Sequence, residues 1–200
     1  MSKEVDEMRA KVAHHLRFTK QYPMVAIEAN ALLIAFNTGG QADVLAVDKK
    51  GQVIEVEIKI SIADLRKDQH KAKHYWLWRD HFQEEPAAHQ LALHRAWKRE
   101  QTLHAQGRPV SIPPCHMFYF AVPDELVNKA RAAIDELYPY AGLLSVNQEM
   151  LYAPTYIFMA KEARKYNRPR IGPVRLARMA REMSATLCRL AMDLAGVKRL

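Results

Sequence analysis

Between Gln41 and Ser61 the chain alternates apolar and charged residues around one short turn, and this constrains the fold more than any other stretch. Ala42–Asp43–Val44–Leu45–Ala46–Val47 and a second run at about 52–60 are rich in the β-branched and aliphatic residues that suit a pleated surface. Asp48–Lys49–Lys50–Gly51 supplies the turn between them, with glycine where a positive φ is needed. Side chains alternate faces along a strand, so Glu55, Glu57 and Lys59 share one face, and Val56, Ile58 and Ile60 share the other. The expectation is a polar face backed by a core face. Asp43 lies on the neighbouring strand, where pairing can bring its carboxylate within reach of Glu57; the register itself is not set by the sequence.

Around this hairpin, helical and extended periods alternate. Val5, Met8, Val12 and Leu16 recur at helical spacing and predict a helix over residues 3–20, ended by Pro23. Residues 24–28 read as a strand, 29–36 are apolar and fit either strand or helix, and Thr38–Gly39–Gly40 is a turn. After the hairpin, Ser61 is a helix N-cap with Asp64 at the third helical position, and the helix carries Leu65, Ala72, Tyr75 and Trp76. A further helix opens at Pro86 and runs through Leu91, Leu93, Trp97 and Leu103. His116–Val122 is an apolar strand bounded by Pro123, followed by a helix to about Leu137 and a short strand at 141–146. Residues 150–160 read as extended. Pro173 opens a last helix to about Leu194, with Gly196 as its stop signal. The order predicts a mixed α/β domain.

The 200 residues are 49% apolar, enough for one domain with a full core. Thirty basic against twenty-two acidic residues leave a net charge of +8, which favours a polyanionic partner, most simply nucleic acid. Cys115 and Cys188 lie far apart without metal-ligand spacing, which argues against a disulfide scaffold or a zinc site and for a reducing compartment. The charged N-terminus has no apolar signal region, and no apolar run approaches the ~20 residues that span a bilayer. A cytoplasmic location is expected, with no membrane partner.

Carboxylates and a lysine converging on a strand pair suit divalent-metal phosphodiester chemistry. Mg²⁺ or Mn²⁺ prefers hard oxygen ligands and can activate a water beside a phosphate. Asp43 and Glu57 are the expected ligands, with the Ile58 carbonyl as a third. Lys59 is expected to offset charge beside the nucleophile.

Asp43, followed fourteen positions later by Glu57–Ile58–Lys59, resembles the PD-(D/E)xK nuclease superfamily. A closer resemblance is to MmcB-like DNA-repair proteins and their phage relatives. It is carried by Ala42–Ala46, by Val56–Leu65, by Phe118–Pro123 and by Ala141–Leu144. The resemblance implies a restriction-endonuclease-like core: a mixed central sheet flanked by helices, with a helical insertion at 83–114. The whole of 1–200 is then one nuclease-like domain, with its core at about 3–82 and 115–150 and a basic C-terminal helical region at 160–200. It further implies a Mg²⁺- or Mn²⁺-dependent DNA nuclease of DNA repair or phage DNA processing, with Asp43, Glu57 and Lys59 catalytic. The alternative is a catalytically idle DNA- or protein-binding module on the same fold. A homodimer is compatible with either. Ala42 stands where the family pattern has proline.

Other residues have both a functional and a plain reading. Glu55, one pleat before Glu57, is a reserve metal ligand or a solvated acid. Glu7 in the first helix, with Glu4 competing, is a further ligand or surface charge. Asp64, Asp68, Lys71 and Tyr75 form one polar helical stripe; Lys71 either meets DNA phosphate or pairs with Asp68 on a solvated face. His70 and His74 stand one turn apart and read as surface histidines rather than zinc ligands, and the pair His14–His15 as a surface that could touch DNA. Trp76 reads as core. Arg175, Arg178 and Arg181, after Arg164–Lys165 and Arg168–Pro169–Arg170, make the densest basic tract and are expected to contact nucleic acid.

Overall fold

The hairpin is the seed of the sheet in the computed structural model, which describes residues 3–29, 42–82, 98, 102, 115–147 and 157–196. The strands are β1 (Met24–Ala29), β2 (Ala42–Val47), β3 (Val53–Ile58), β4 (Met117–Pro123), β5 (Gly142–Val146) and β6 (Ile157–Lys161). Among the described residues they form one six-stranded sheet in sequence order. β1–β2, β2–β3 and β5–β6 pair antiparallel, whereas β3–β4 and β4–β5 pair parallel across longer connections. Gly51 takes φ of +75° in the hairpin turn, as expected, and its N–H donates to the Asp48 carbonyl at 3.0 Å. The Asp48 carboxylate also accepts from the amides of Lys50 and Gln52, each at 2.8 Å.

The helices are α1 (Lys3–His14), α2 (Ile62–Lys67), α3 (Ala72–Phe82), α4 (Val127–Leu137) and α5 (Pro173–Leu194). α1 continues into a wider turn over His15–Thr19. Met8, Val12 and Leu16 from this segment cover Val44, Ala46, Ile54, Val56 and Ile58 on one face of the sheet. On the other face, Leu65, Leu77, Ala130, Ile134 and Met179 cover Leu45, Val47, Val53, Phe118 and Phe120. Each large side chain so buried stabilises the fold by about 1.5–3 kcal/mol. The result is an α/β architecture compatible with the restriction-endonuclease-like core.

Two corrections follow from this layering. The face carrying Glu55, Glu57 and Lys59 is not open to solvent: these residues are 1%, 2% and 5% exposed. The helix expected to run on from Ile62 is broken. A tight turn at Asp68–His70 separates α2 from α3, and Lys71 is extended at φ −76°, ψ 133°. Ser61 caps α2 as expected, accepting from the Asp64 amide at 3.1 Å. Trp76 is buried, and α5 has its expected limits. Of the extended stretch expected at 150–160 only residues 157–160 are described, and they lie in the strand Ile157–Lys161. The segments expected at 29–36, 38–40 and 86–103 lie wholly or almost wholly outside the described residues.

Candidate functional site

β3 presents Glu55 and Glu57 toward α2 and α3, and Lys59, the residue after the strand, continues the same alternation. The broken helix answers with charges of its own. Lys73, near the start of α3, donates to Glu55 Oε1 at 2.8 Å and to Glu57 Oε1. Lys71 donates to Glu57 Oε2 at 3.1 Å and lies 2.7 Å from Asp68 Oδ1. Lys59 reaches Asp68 Oδ1 at 2.5 Å, Asp64 Oδ2 at 3.5 Å and Glu57 Oε2 at 3.8 Å. Three buried carboxylates (Glu55, Glu57 and Asp68) thus meet three lysines.

Burial opposes charge on Glu57, but Lys73, with Lys71 and Lys59, outweighs burial and the neighbouring Asp68 charge, and the carboxyl lies below its ordinary range. Asp68 is likewise held ionised against burial by the hydrogen bond from His74 and by Lys73 and Lys59. Burial pulls His74 below the ordinary histidine value even though Asp68 opposes it. An ionised Asp68 can only accept, so His74 Nε2 donates to Asp68 Oδ2 at 2.6 Å, and Nδ1 lies 2.7 Å from the Tyr140 hydroxyl oxygen. Phe118, Phe120 and Tyr138 surround the ring.

Asp43 approaches the same strand from its end. The β1–β2 ladder passes from Ile27–Val44 to Ala29–Ala42, and Glu28 between them has φ of +49°. Asp43 Oδ2 accepts from the Ile58 amide at 2.9 Å, so its carboxylate is anchored inside Glu57–Ile58–Lys59. Its Oδ1 accepts from Arg9 Nη2 at 2.7 Å, and Arg9 Nη1 also donates to Asp6 and Glu28.

Hard oxygen donors are what Mg²⁺ and Mn²⁺ take, and Mg²⁺ commonly uses one or two carboxylates with waters completing its shell. Asp43, Glu57 and the Ile58 carbonyl have that chemistry, and the Asp43–Ile58 bond ties the two acids to one stretch of backbone. Among the described residues, no three His, Cys, Asp or Glu side chains converge as a metal cluster.

Several expectations change at this point. Glu55 is neither solvated nor spare: it is the buried counter-ion of Lys73. Glu7 stands apart on the exposed side of α1, 3.6 Å from Lys3. Asp68 and His74 are core residues, not members of a solvated stripe or a surface pair, because the turn at 68–70 swings them under β3. His15 is also buried, while His14 is exposed. Lys71 does pair with Asp68, and it meets Glu57 as well. The contacts of Arg9 with Asp43, Lys73 with Glu55 and Tyr140 with His74 carry no sequence signal, since each spans 18 or more residues of chain.

Arg175 and Arg181 are exposed on α5 and Arg178 is half-buried. The segment leading to α5 is stitched to the far end of the hairpin, where the Ile171 amide donates to the Gly51 carbonyl at 3.0 Å. Arg168 there donates to the Cys115 carbonyl at 2.9 Å and pairs with Asp80. The start of the basic helix thus lies at the end of β3 opposite Lys59. No helix among the described residues is long and apolar enough to cross a membrane.

The family described as DNA repair protein MmcB-like matches residues 6–90, a span that holds α1 almost entirely, β1 to β3, α2 and α3. No curated protein matches the chain. A solved structure, the SPO1766 protein of unknown function from Silicibacter pomeroyi, superposes with a TM-score of 0.51 at 17% identity. The superposition covers 97% of this chain and 92% of that one, and at that identity it speaks for the fold alone.

Proposed function

We propose that this protein acts on DNA as a metal-dependent nuclease of DNA repair or phage DNA processing, with its centre at Asp43, Glu57 and Lys59. The match to MmcB-like DNA repair proteins supports the DNA partner. One observation carries the site: Asp43 is hydrogen-bonded to the backbone of Ile58, between Glu57 and Lys59. Asp43, Glu57 and the Ile58 carbonyl would hold Mg²⁺ or Mn²⁺, which when bound supplies charge neutralisation and an activated water. The residues themselves do the positioning. Arg9 orients the Asp43 carboxylate, Lys73 orients Glu57, and Asp68 holds the Lys59 ammonium beside Glu57. An ammonium fixed there stabilises negative charge that builds on a phosphate without first having to reorganise.

A second reading has its own support. The three carboxylates are already matched by three lysines, as in an idle DNA- or protein-binding module whose acids serve the core. Incubation with single-stranded, duplex, flapped and four-way DNA, in Mn²⁺ and in chelator, separates the two. For a nuclease, Asp43→Ala and Lys59→Ala each reduce Mn²⁺-dependent cleavage about 100-fold or more, while DNA binding survives. Unchanged cleavage in both variants removes the site assignment. DNA binding with no cleavage of any substrate by the unaltered protein favours the idle module.

A further inference from the structure

Glu57 is held by two lysines that differ in kind. Lys73 is 4% exposed, shared between Glu55 and Glu57, and packed 5.2 Å from the centre of the Phe118 ring. Removing it would leave Glu55 buried without that partner. Lys71 is 36% exposed and springs from the extended link between the Asp68–His70 turn and α3. It takes Glu57 Oε2 at 3.1 Å and Asp68 Oδ1 at 2.7 Å. If Lys71 departs, Asp68 keeps Lys59 and His74, and Glu57 keeps Lys73 on Oε1. The oxygen that loses its hydrogen-bonded cation is Glu57 Oε2, the one not given to Lys73, and it then faces only the more distant Lys59 ammonium at 3.8 Å.

We infer that Lys71 is an exchangeable stand-in cation: its ammonium covers Glu57 Oε2 until a divalent ion takes that oxygen, and the displaced side chain then turns to a phosphate of the DNA backbone. This rests on the reading of Asp43 and Glu57 as metal ligands. An ammonium and a divalent ion on one oxygen repel one another, and the repulsion falls with distance, so Lys71 at 3.1 Å opposes the ion more than Lys59 at 3.8 Å. The exchange leaves no buried carboxylate bare, because the arriving charge replaces the departing one. It also frees a solvent-facing amine beside the site only when the ion is present, so metal and phosphate binding are linked through one side chain.

The test uses the full chain and Mn²⁺ alone, followed by thermal unfolding, and then duplex DNA binding with Ca²⁺ or with chelator. The Lys71→Met and Lys71→Gln variants are expected to reach half of their Mn²⁺-dependent stabilisation at about tenfold lower Mn²⁺ than the unaltered protein. The unaltered protein is expected to bind DNA more tightly with Ca²⁺ than with chelator, by a margin that both variants lose. A Mn²⁺ response that Asp43→Asn abolishes, with an unshifted or raised midpoint in both Lys71 variants, overturns the exchange and leaves the metal reading standing. No Mn²⁺ response in any of these proteins overturns the metal reading, and the exchange with it.

Discussion

Lys73 shows how much of this molecule depends on single charges. It lies under the sheet between Glu55 and Glu57, and both acids push its own proton affinity up against the effect of burial. Breaking such a pair by removing one partner leaves an uncompensated buried charge and costs about 3–5 kcal/mol. Lys73→Met is therefore expected to lower the unfolding free energy by about that amount in urea titration, and a combined Lys73→Met, Glu55→Gln change to recover part of it. An unaltered midpoint for Lys73→Met would mean that the two glutamates find other partners. At this scale the β3 pattern was legible: Glu55, Glu57 and Lys59 share a face because strand geometry is local. Their partners were not, because Lys73 meets Glu55 across 18 residues and Arg9 meets Asp43 across 34.

At the scale of elements, the decisive feature is the break between α2 and α3. Asp64, Asp68, Lys71 and Tyr75 have helical spacing, and nothing in that spacing marks a stop. The turn is held by the Lys71 amide on the Asp68 carbonyl at 2.9 Å, and it brings Asp68 onto Lys59 and His74. The burial of those charges against β3, rather than helix propensity, gives this segment its path. β2 and α5, by contrast, reach their expected ends, α5 lying between the Pro173 start signal and the Gly196 stop signal. β5 depends on a close approach: a Cβ at Gly142 would fall 2.3 Å from a Tyr119 ring carbon and 2.7 Å from the Ala163 backbone nitrogen. Gly142→Ala is expected to destabilise by about 1–3 kcal/mol in urea unfolding. The same change with Tyr119→Leu should cost less than the sum of the two single changes.

For the whole molecule, the buried titratable groups act in one direction on acidification. His74, His15, His81 and His116 all lie below the ordinary histidine value, with burial as the leading cause in each. The unfolded chain therefore takes up protons on these groups before the folded chain does, and stability falls as pH drops through about 6.5. Glu57 and Asp68 are depressed carboxyls, so their contribution is present above the unfolded value of about 4 and is lost below it. Thermal unfolding from about pH 7 down to about pH 5 should show a falling midpoint, with a second and steeper loss below about pH 4. A midpoint that holds steady between about pH 7 and pH 5 would show that the folded protein takes up these protons as readily as the unfolded chain. The charge surplus was legible at this scale, but its layout was not. The Arg168–Arg170 segment and the start of α5 stand at the opposite end of β3 from Lys59.

The sequence alone determined what depends on neighbouring residues: the hairpin and its Gly51 turn, the Ser61 cap, the apolar stripe of α1, the Pro173 and Gly196 limits of α5, and the shared face of Glu55, Glu57 and Lys59. These follow from alternation, helical period and the φ that glycine permits, all of which act over a few residues. Only the tertiary structure decided that the acidic face of β3 is covered, that Asp68 and His74 belong to the core, and that Lys71 and Lys73 divide the oxygens of Glu57. A buried charge must find its counter-charge wherever packing brings one, and here it comes from helices folded back over the sheet.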